Sequence, residues 1–191
     1  MPLSDNEIIE RVRGGGHHHY AHLVDRYKDK AMTLAVRMLR DREDAEEATQ
    51  DAFIRAYNAL NGFKGTARFG TWFYRILYNV CLTRIGKKKG ESIFIDYDDG
   101  TEYDMADSWI SPDNSANIET KDMITFVKKI IETLPLKYQT ILSLFYFQEL
   151  SHEEICEVTE LPLATVKTHL FRARAILQQK LQKEFQYEKA I

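Results

Sequence analysis

The stretch SHEEICEVTELPLATVKTHLFRAR, residues 151–174, decides the fold. It reads as a helix, a tight turn and a second helix. Ser151 followed by Glu154 is an S-x-x-E capping box, which opens a helix by satisfying two orphan amides reciprocally. Pro162 stands near the start of the second helix, where its missing N–H is no loss. Advancing that helix by about 100° per residue puts Val166, Leu170, Ala173, Leu177 and Leu181 on one side. Ala164, Lys167, Thr168, Phe171, Arg172 and Ala175 fall on the other. The first side is a core stripe. The second is small, basic and hydroxylated, with one aromatic. A helix entering a DNA major groove needs that mixture: cations for phosphates, short side chains for close approach, and donors for base edges. Lys167, Thr168, Phe171 and Arg172 are the candidate contacts.

Outward from this segment, composition sets the frame. A chain of 191 residues holds one or two domains. With 44% hydrophobic residues it builds real cores, and four prolines and nine glycines suit a helical protein. No apolar run approaches transmembrane length and no signal peptide opens the chain, so a cytoplasmic location is expected. Cys81 and Cys156 both fall inside amphipathic patterns and read as small core residues. The net charge of −3 hides a strong segregation. Residues 52–90 carry eight Lys/Arg and no acid, residues 91–120 nine acids and no base, and residues 161–183 five Lys/Arg and no acid. Two basic zones thus flank one acidic zone, a pattern that points to nucleic acid more than a uniform surface would.

Helical periodicity organises the N-terminal half. Helices are expected at Ser4 to Arg13, His18 to Leu39, Glu43 to Leu60 and Thr71 to Gly86, with a loop delimited by Gly62, Gly65 and Gly70. Residues 91–120 lack periodicity and read as a flexible acidic linker. A second helical unit follows: Asp122 to Thr133, Leu136 to Gln148, the capped helix after Ser151, and a last helix to about Phe185. The expected architecture is all-α: one helical domain at 1–90, the linker at 91–120, and a helix-turn-helix domain at 121–191.

Two N-terminal segments carry chemistry. In DAEEATQDAFIRAYNAL, residues 44–60, Ala45, Ala48, Ala52, Ala56 and Ala59 line one side, so another helix can approach closely. Glu46, Glu47, Gln50, Asp51 and Ile54 line the opposite side. An acidic face with an embedded isoleucine suits a basic protein partner, although a solvated face explains the carboxylates alone equally well. In FKGTARFGTWFYRILYNVC, residues 63–81, Phe73, Ile76, Leu77 and Val80 form a core side, while Tyr74 and Tyr78 are expected to face away and Trp72 sits at the edge. Aromatics from Phe69 to Tyr78 interleave with Lys64, Arg68 and Arg75. Flat rings stack unpaired bases and cations track phosphates, and a small-residue loop such as Gly65-Thr66-Ala67 brings backbone donors near a flipped base.

Together these blocks resemble an extracytoplasmic-function sigma factor, the small two-domain class within the sigma-70 family of bacterial RNA polymerase specificity subunits. The resemblance covers residues 5 to about 182. It implies that DAEEATQDAFIRAYNAL is the helix that binds core polymerase, with Asp44, Glu46, Glu47, Gln50, Asp51 and Ile54 meeting the clamp helices. The Gly62–Gly70 loop resembles the one that captures a flipped base of the −10 element. FGTWFYRILYNVC resembles the strand-opening helix, which implies Trp72, Arg75, Tyr78 and Asn79 near melted DNA, with Lys64, Arg68 and Phe69 as further candidate DNA contacts. TVKTHLFRAR resembles the −35 recognition helix, and the apolar helix before it would lie near the polymerase flap. An anti-sigma factor is a further implied partner, and neither cofactor nor membrane insertion is implied.

Some positions depart from the family pattern. Glu160 stands where the turn often has glycine, Ala164 where glycine is frequent, and His169 where arginine is usual; an imidazole is mostly uncharged at neutral pH, so a weaker phosphate contact is expected there. The run His17–His19 with His22 offers metal-binding atoms, but its base rate as a site is low and no metal is assigned. No phosphate-binding glycine loop, metal-ligand spacing or nucleophile motif supports an enzyme. A regulator using only its helix-turn-helix would leave residues 63–81 unexplained; an adaptor using only the acidic helix would leave the last helix unexplained. The charge segregation also allows a compact self-inhibited form, with the acidic linker shielding either basic zone.

Overall fold

The structure is a computed structural model that describes residues 3–89, 127 and 129–188. The acidic linker assigned to residues 91–120 lies outside them. Helices α1 (Asp5–Arg13), α2 (Tyr20–Leu39), α3 (Arg42–Ala59) and α4 (Phe69–Lys89) form the first group. Helices α5 (Leu136–Leu142), α6 (His152–Thr159) and α7 (Leu163–Glu188) form the second, preceded by helical residues 129–132. Among the described residues there is no strand.

Local chemistry sets the helix ends. Ser4 caps α1 in a full capping box: its hydroxyl accepts from the Glu7 amide at 3.3 Å, and the Glu7 carboxylate accepts from the Ser4 amide at 2.8 Å. The Ser4 hydroxyl, which donates to the Glu7 carboxylate at 2.7 Å, and then the Ser4 amide hold that carboxyl below its ordinary pKa. Asp41 caps α3 by accepting from the Asp44 amide at 2.9 Å. Ser151 and Glu154 repeat the box at α6, as the sequence predicts. Helix α4 starts at Phe69, a little before the expected Thr71. The expected helix from Leu136 to Gln148 is an α-helix only to Leu142. It widens into a π turn over Ser143–Phe147, closed by the Gln148 amide on the Ser143 carbonyl at 3.1 Å.

In the first group, α2, α3 and α4 pack on one another and α1 closes one end. The alanine stripe permits this: Ala45, Ala48, Ala52 and Ala56 are fully buried, so α3 approaches its neighbours at backbone distance. Ala59 is exposed, because α3 gives way there to a short 3₁₀ turn at Leu60–Gly62. An aromatic cluster fills the space between α2, α3 and α4. Phe53 stacks on Phe73 at 4.5 Å, and Phe69 packs edge-on against Tyr27 at 5.4 Å. The Tyr27 hydroxyl is anchored on Asp5 at 2.5 Å, which ties α1 to α2. Arg13 reaches from the end of α1 to the Leu60 carbonyl at 2.9 Å and also to the Phe63 carbonyl, fixing the turn that leads into the Gly62–Gly70 loop.

In the second group, Val166, Leu170 and Ala173 are buried as the core stripe predicts. His169 is a correction: it is buried and meets the Tyr138 ring edge-on at 5.6 Å, so it belongs to the core instead of the phosphate-facing side. Gln139, also buried, donates to the Glu132 and Leu134 carbonyls at 2.8 and 2.7 Å, which closes the end of helical residues 129–132. The two groups lie against each other, with α6 on α4 and α5 on α2.

Candidate nucleic-acid and polymerase interfaces

The second helix of the helix-turn-helix, α7, presents Ala164, Lys167, Thr168 and Phe171 to solvent at i, i+3, i+4 and i+7. Phe171 is 44% exposed, unusual for its size and consistent with apolar contact to a thymine methyl. Arg172 is half-buried at the edge of the same face. The four predicted contacts therefore share one side of one helix, and the buried stripe on its other side holds that side outward.

The second candidate surface is the Gly62–Gly70 loop with the outer side of α4. Lys64, Arg68, Arg75 and Asn79 are exposed along it. Gly65 has φ 70, a left-handed conformation that glycine adopts without strain, so the loop turns sharply at that residue. Trp72 is half-buried, its ring packed on Phe63 at 5.0 Å and Phe69 at 5.7 Å. Two predicted contacts are buried in this structure. Phe69 is 2% exposed and belongs to the aromatic core beneath Trp72, so it supports the surface from below. Tyr78 and Tyr74, both expected to face away, are buried at 3% and 2%, and Tyr74 packs edge-on against Tyr27 of α2 at 6.1 Å. Thr71, Tyr74, Arg75 and Tyr78 form an i, i+3, i+4, i+7 stripe, and α6 lies over it. Thr71 donates to Glu154 of α6 at 2.8 Å, and Arg75 pairs with Glu160 just beyond α6. A helical wheel of one segment cannot show that a second domain covers the outward side.

The third surface is the acidic face of α3. Glu46, Glu47 and Gln50 are exposed, Asp44 and Asp51 half-buried, and Ile54 is 54% exposed. The carboxylates are partly engaged within the chain: Glu46 with Arg42 at 3.0 Å, Asp51 with Arg55 at 2.9 Å, and Glu47 with Arg84 of α4 at 3.0 Å. Such exposed pairs contribute only about 0–1 kcal/mol, so a partner's cations can replace them. Beside this face runs an open groove of ≈ 1160 Å³ between α2 and α3. Its walls include Tyr20, Val24, Met32, Phe53, Ile54 and Tyr57, and its rim carries Asp25, Asp29, Glu43, Glu46 and Glu47 with Lys28. The α2 half of this groove was not legible in sequence, because Tyr20 and Val24 carry the same helical spacing as the core residues around them. The Tyr20 hydroxyl donates to the Phe53 carbonyl at 2.8 Å, holding the groove floor, and burial pushes its pKa up. His17, from the histidine run, sets its Nδ1 2.8 Å from the Tyr57 hydroxyl at one end of the groove.

This is a helix-turn-helix protein with a second basic, aromatic helix and an acidic apolar groove. Comparison with known proteins gives the class a family. The family model described as "Sigma-70 region 2" matches residues 23–91, and "Sigma-70, region 4" matches residues 127–177. The ECF RNA polymerase sigma factor SigW of Bacillus subtilis is 38% identical over 187 residues, covering 95% of this chain and 98% of SigW. The RNA polymerase sigma-H factor of Pseudomonas aeruginosa is 34% identical, covering 93% and 94%. Among solved structures, CnrH in complex with the cytosolic domain of CnrY shares the fold with a TM-score of 0.64 at 19% identity, over 94% of this chain and 97% of that one. The sigma factor RpoE of Bartonella quintana, in complex with the anti-sigma factor NepR, has a TM-score of 0.62 at 18% identity, over 85% and 96%. The chain belongs to the extracytoplasmic-function sigma factors of the sigma-70 family, and its function is promoter-specific transcription initiation with RNA polymerase.

Proposed function

We propose that the three surfaces divide the work of initiation as follows. Helix α7 reads the −35 element through Lys167, Thr168, Phe171 and Arg172. The Gly62–Gly70 loop and α4 engage the −10 element and its melted strand through Lys64, Arg68, Trp72, Arg75 and Asn79, with Tyr78 joining them once α6 is moved aside. The α3 face at Asp44, Glu46, Glu47, Gln50, Asp51 and Ile54, with the α2–α3 groove, holds the clamp helices of core polymerase, and the apolar segment 136–148 meets the flap. Units 1–90 and 121–191 act as the two DNA-reading domains and residues 91–120 as their tether. The chain performs no catalysis; binding energy drives strand opening, and it works in the cytoplasm where the polymerase is. An anti-sigma factor is a fitting regulator, since CnrH and the Bartonella RpoE were both solved with a bound partner.

One observation carries this reading: exposed cations sit on α4 and α7, with half-buried Trp72 on α4 and exposed Phe171 on α7, whereas a run of carboxylates and Ile54 sits on α3. Charge of one sign suits DNA and the other a basic protein. Reconstituted transcription tests it. Purified core polymerase with this protein starts transcription at promoters that core alone does not use. Tight, specific duplex binding by the isolated protein without core binding would instead mark it as a conventional helix-turn-helix regulator.

A further inference from the structure

Three non-glycine residues among those described hold a left-handed backbone: Arg40 at φ 56, Glu149 at φ 59 and Glu160 at φ 60. Each occupies a position where glycine would be unstrained and a Cβ is disfavoured. Arg40 ends α2 and Glu160 ends α6, the usual places for a C-terminal glycine. All three side chains do the same thing. Arg40 donates to the Leu134 carbonyl at 3.4 Å, Glu149 pairs with Lys30 at 3.3 Å, and Glu160 pairs with Arg75. Every one of these contacts crosses from one helix group to the other. Glu154 adds a fourth bridge, accepting from Thr71 at 2.8 Å with Arg68 at 3.7 Å.

We infer that these bridges form a reversible clasp between the two groups, in which Glu160 and Glu154 occupy Arg75 of α4 and Arg68 just before it in place of DNA phosphates, while Arg40 and the Lys30–Glu149 pair tie α2 to the same unit. Tyr78 is buried in the stripe, and Arg75 and Arg68 stay exposed at its edge with Glu160 and Glu154 as partners. The recognition face of α7 and the groove between α2 and α3 remain exposed, so the clasp leaves the −35 and polymerase surfaces open while it engages two cations of the melting surface and buries Tyr78. The polar part of the clasp is weak. The charged pairs are exposed, Arg75–Glu160 at 51% and 64% and Lys30–Glu149 at 44% and 78%, so each shifts the equilibrium only about 1.5- to 5-fold and is weakened by salt. The seam is also imperfect: the buried Tyr74 hydroxyl and Gln148 Oε1 line a cleft of ≈ 330 Å³ there, and neither has a hydrogen-bond partner among the described residues. The masking of strand opening rests on the function proposed above for α4; the closure itself does not.

Small-angle scattering on the full chain tests the closure. The wild type is expected to be compact at low salt and to expand at about 1 M salt, where the screening length falls to about 3 Å. Arg75→Glu and Glu160→Arg should each expand it at low salt, and the double exchange, which restores an opposite-charge pair, should compact it again. The triple variant Arg40→Gly, Glu149→Gly, Glu160→Gly removes three bridges while relaxing three backbone positions; it should expand with unchanged helical circular dichroism. Expansion without recovery in the double exchange, or no expansion in any variant, would overturn the clasp. A mixed-sequence single-stranded DNA oligonucleotide probes the masking. The triple variant, which keeps Arg68 and Arg75, should bind it severalfold more tightly than the wild type. Expansion without that gain would sink the reading of α4 and leave the closure standing.

Discussion

Cys81 lies on the inner side of α4 with no exposure, and burial pushes its thiol up to about 12 despite the nearby Arg84. Because the folded pKa lies above the ordinary value, its contribution to stability is complete below pH 9 and fades as pH rises toward 12. The thiolate is the reactive species, so iodoacetamide at pH 8 should modify Cys156, which is half-exposed, and spare Cys81 until urea unfolds the chain. Mass spectrometry of the two peptides reads this directly, and equal labelling in the native protein would contradict the packing. Periodicity alone placed Cys81 in the core, because its neighbours Leu77 and Val80 share its stripe. The same logic failed at Tyr78. A wheel puts it on the same side as Thr71 and Arg75 and equates that side with solvent, but Glu154 and Glu160 of the second group meet those two residues and Tyr78 is buried. His169 failed for a different reason. Family position suggested a phosphate contact, while the i+3 relation to Val166 already put it on the core stripe, beside Tyr138.

At the scale of the element, α3 shows how one helix serves two neighbours. Its buried edge is made of Ala45, Ala48, Ala52 and Ala56, all at 0% exposure, and its outer edge carries the acids and Ile54. Close packing leaves no room for a longer side chain at the centre of that edge. Ala52→Leu should destabilise the protein by about 1–3 kcal/mol through overpacking, whereas Glu46→Ala on the outer edge should change stability by less than about 0.5 kcal/mol. Urea unfolding followed by circular dichroism distinguishes them; equal effects would mean that α3 does not pack by its alanines. This stripe and the Ser151–Glu154 capping box were legible because each depends on residues three or four apart. The π turn at Ser143–Phe147 was not. Leu144, Phe145 and Phe147 suit an α-helix by spacing. The widened turn is accompanied by contacts from α2: Arg37 donates to Ser143 Oγ at 2.9 Å and lies over the Phe147 ring at 3.7 Å. Those partners are about a hundred residues away in sequence, and no local pattern announces them.

For the whole molecule, the separation of surfaces makes a sharper demand than any one surface does. If α3 serves the polymerase and α7 serves DNA, damage to each must be read out separately. Ile54 is 54% exposed at the lip of the groove, so Ile54→Glu leaves the fold within about 0.5 kcal/mol while adding a charge where an apolar contact is needed. Loss of an interface anchor of this kind is worth about 2 kcal/mol or more, roughly a thirtyfold weakening of core polymerase binding. Arg172→Ala should leave that affinity alone and reduce binding of the holoenzyme to promoter duplex by about 1–3 kcal/mol if Arg172 reads a base edge. The two changes lie on different helices with different partners, so their effects on promoter-dependent transcription should add. Pull-down of core polymerase and filter binding of promoter DNA measure the two arms independently. A variant at Ile54 that lost promoter binding after being supplied at saturating concentration to core would show that the acidic face does more than hold the polymerase. That result would break the division of labour at its centre, because α3 would then couple the clamp contact to the DNA-reading helix that packs against its alanine edge.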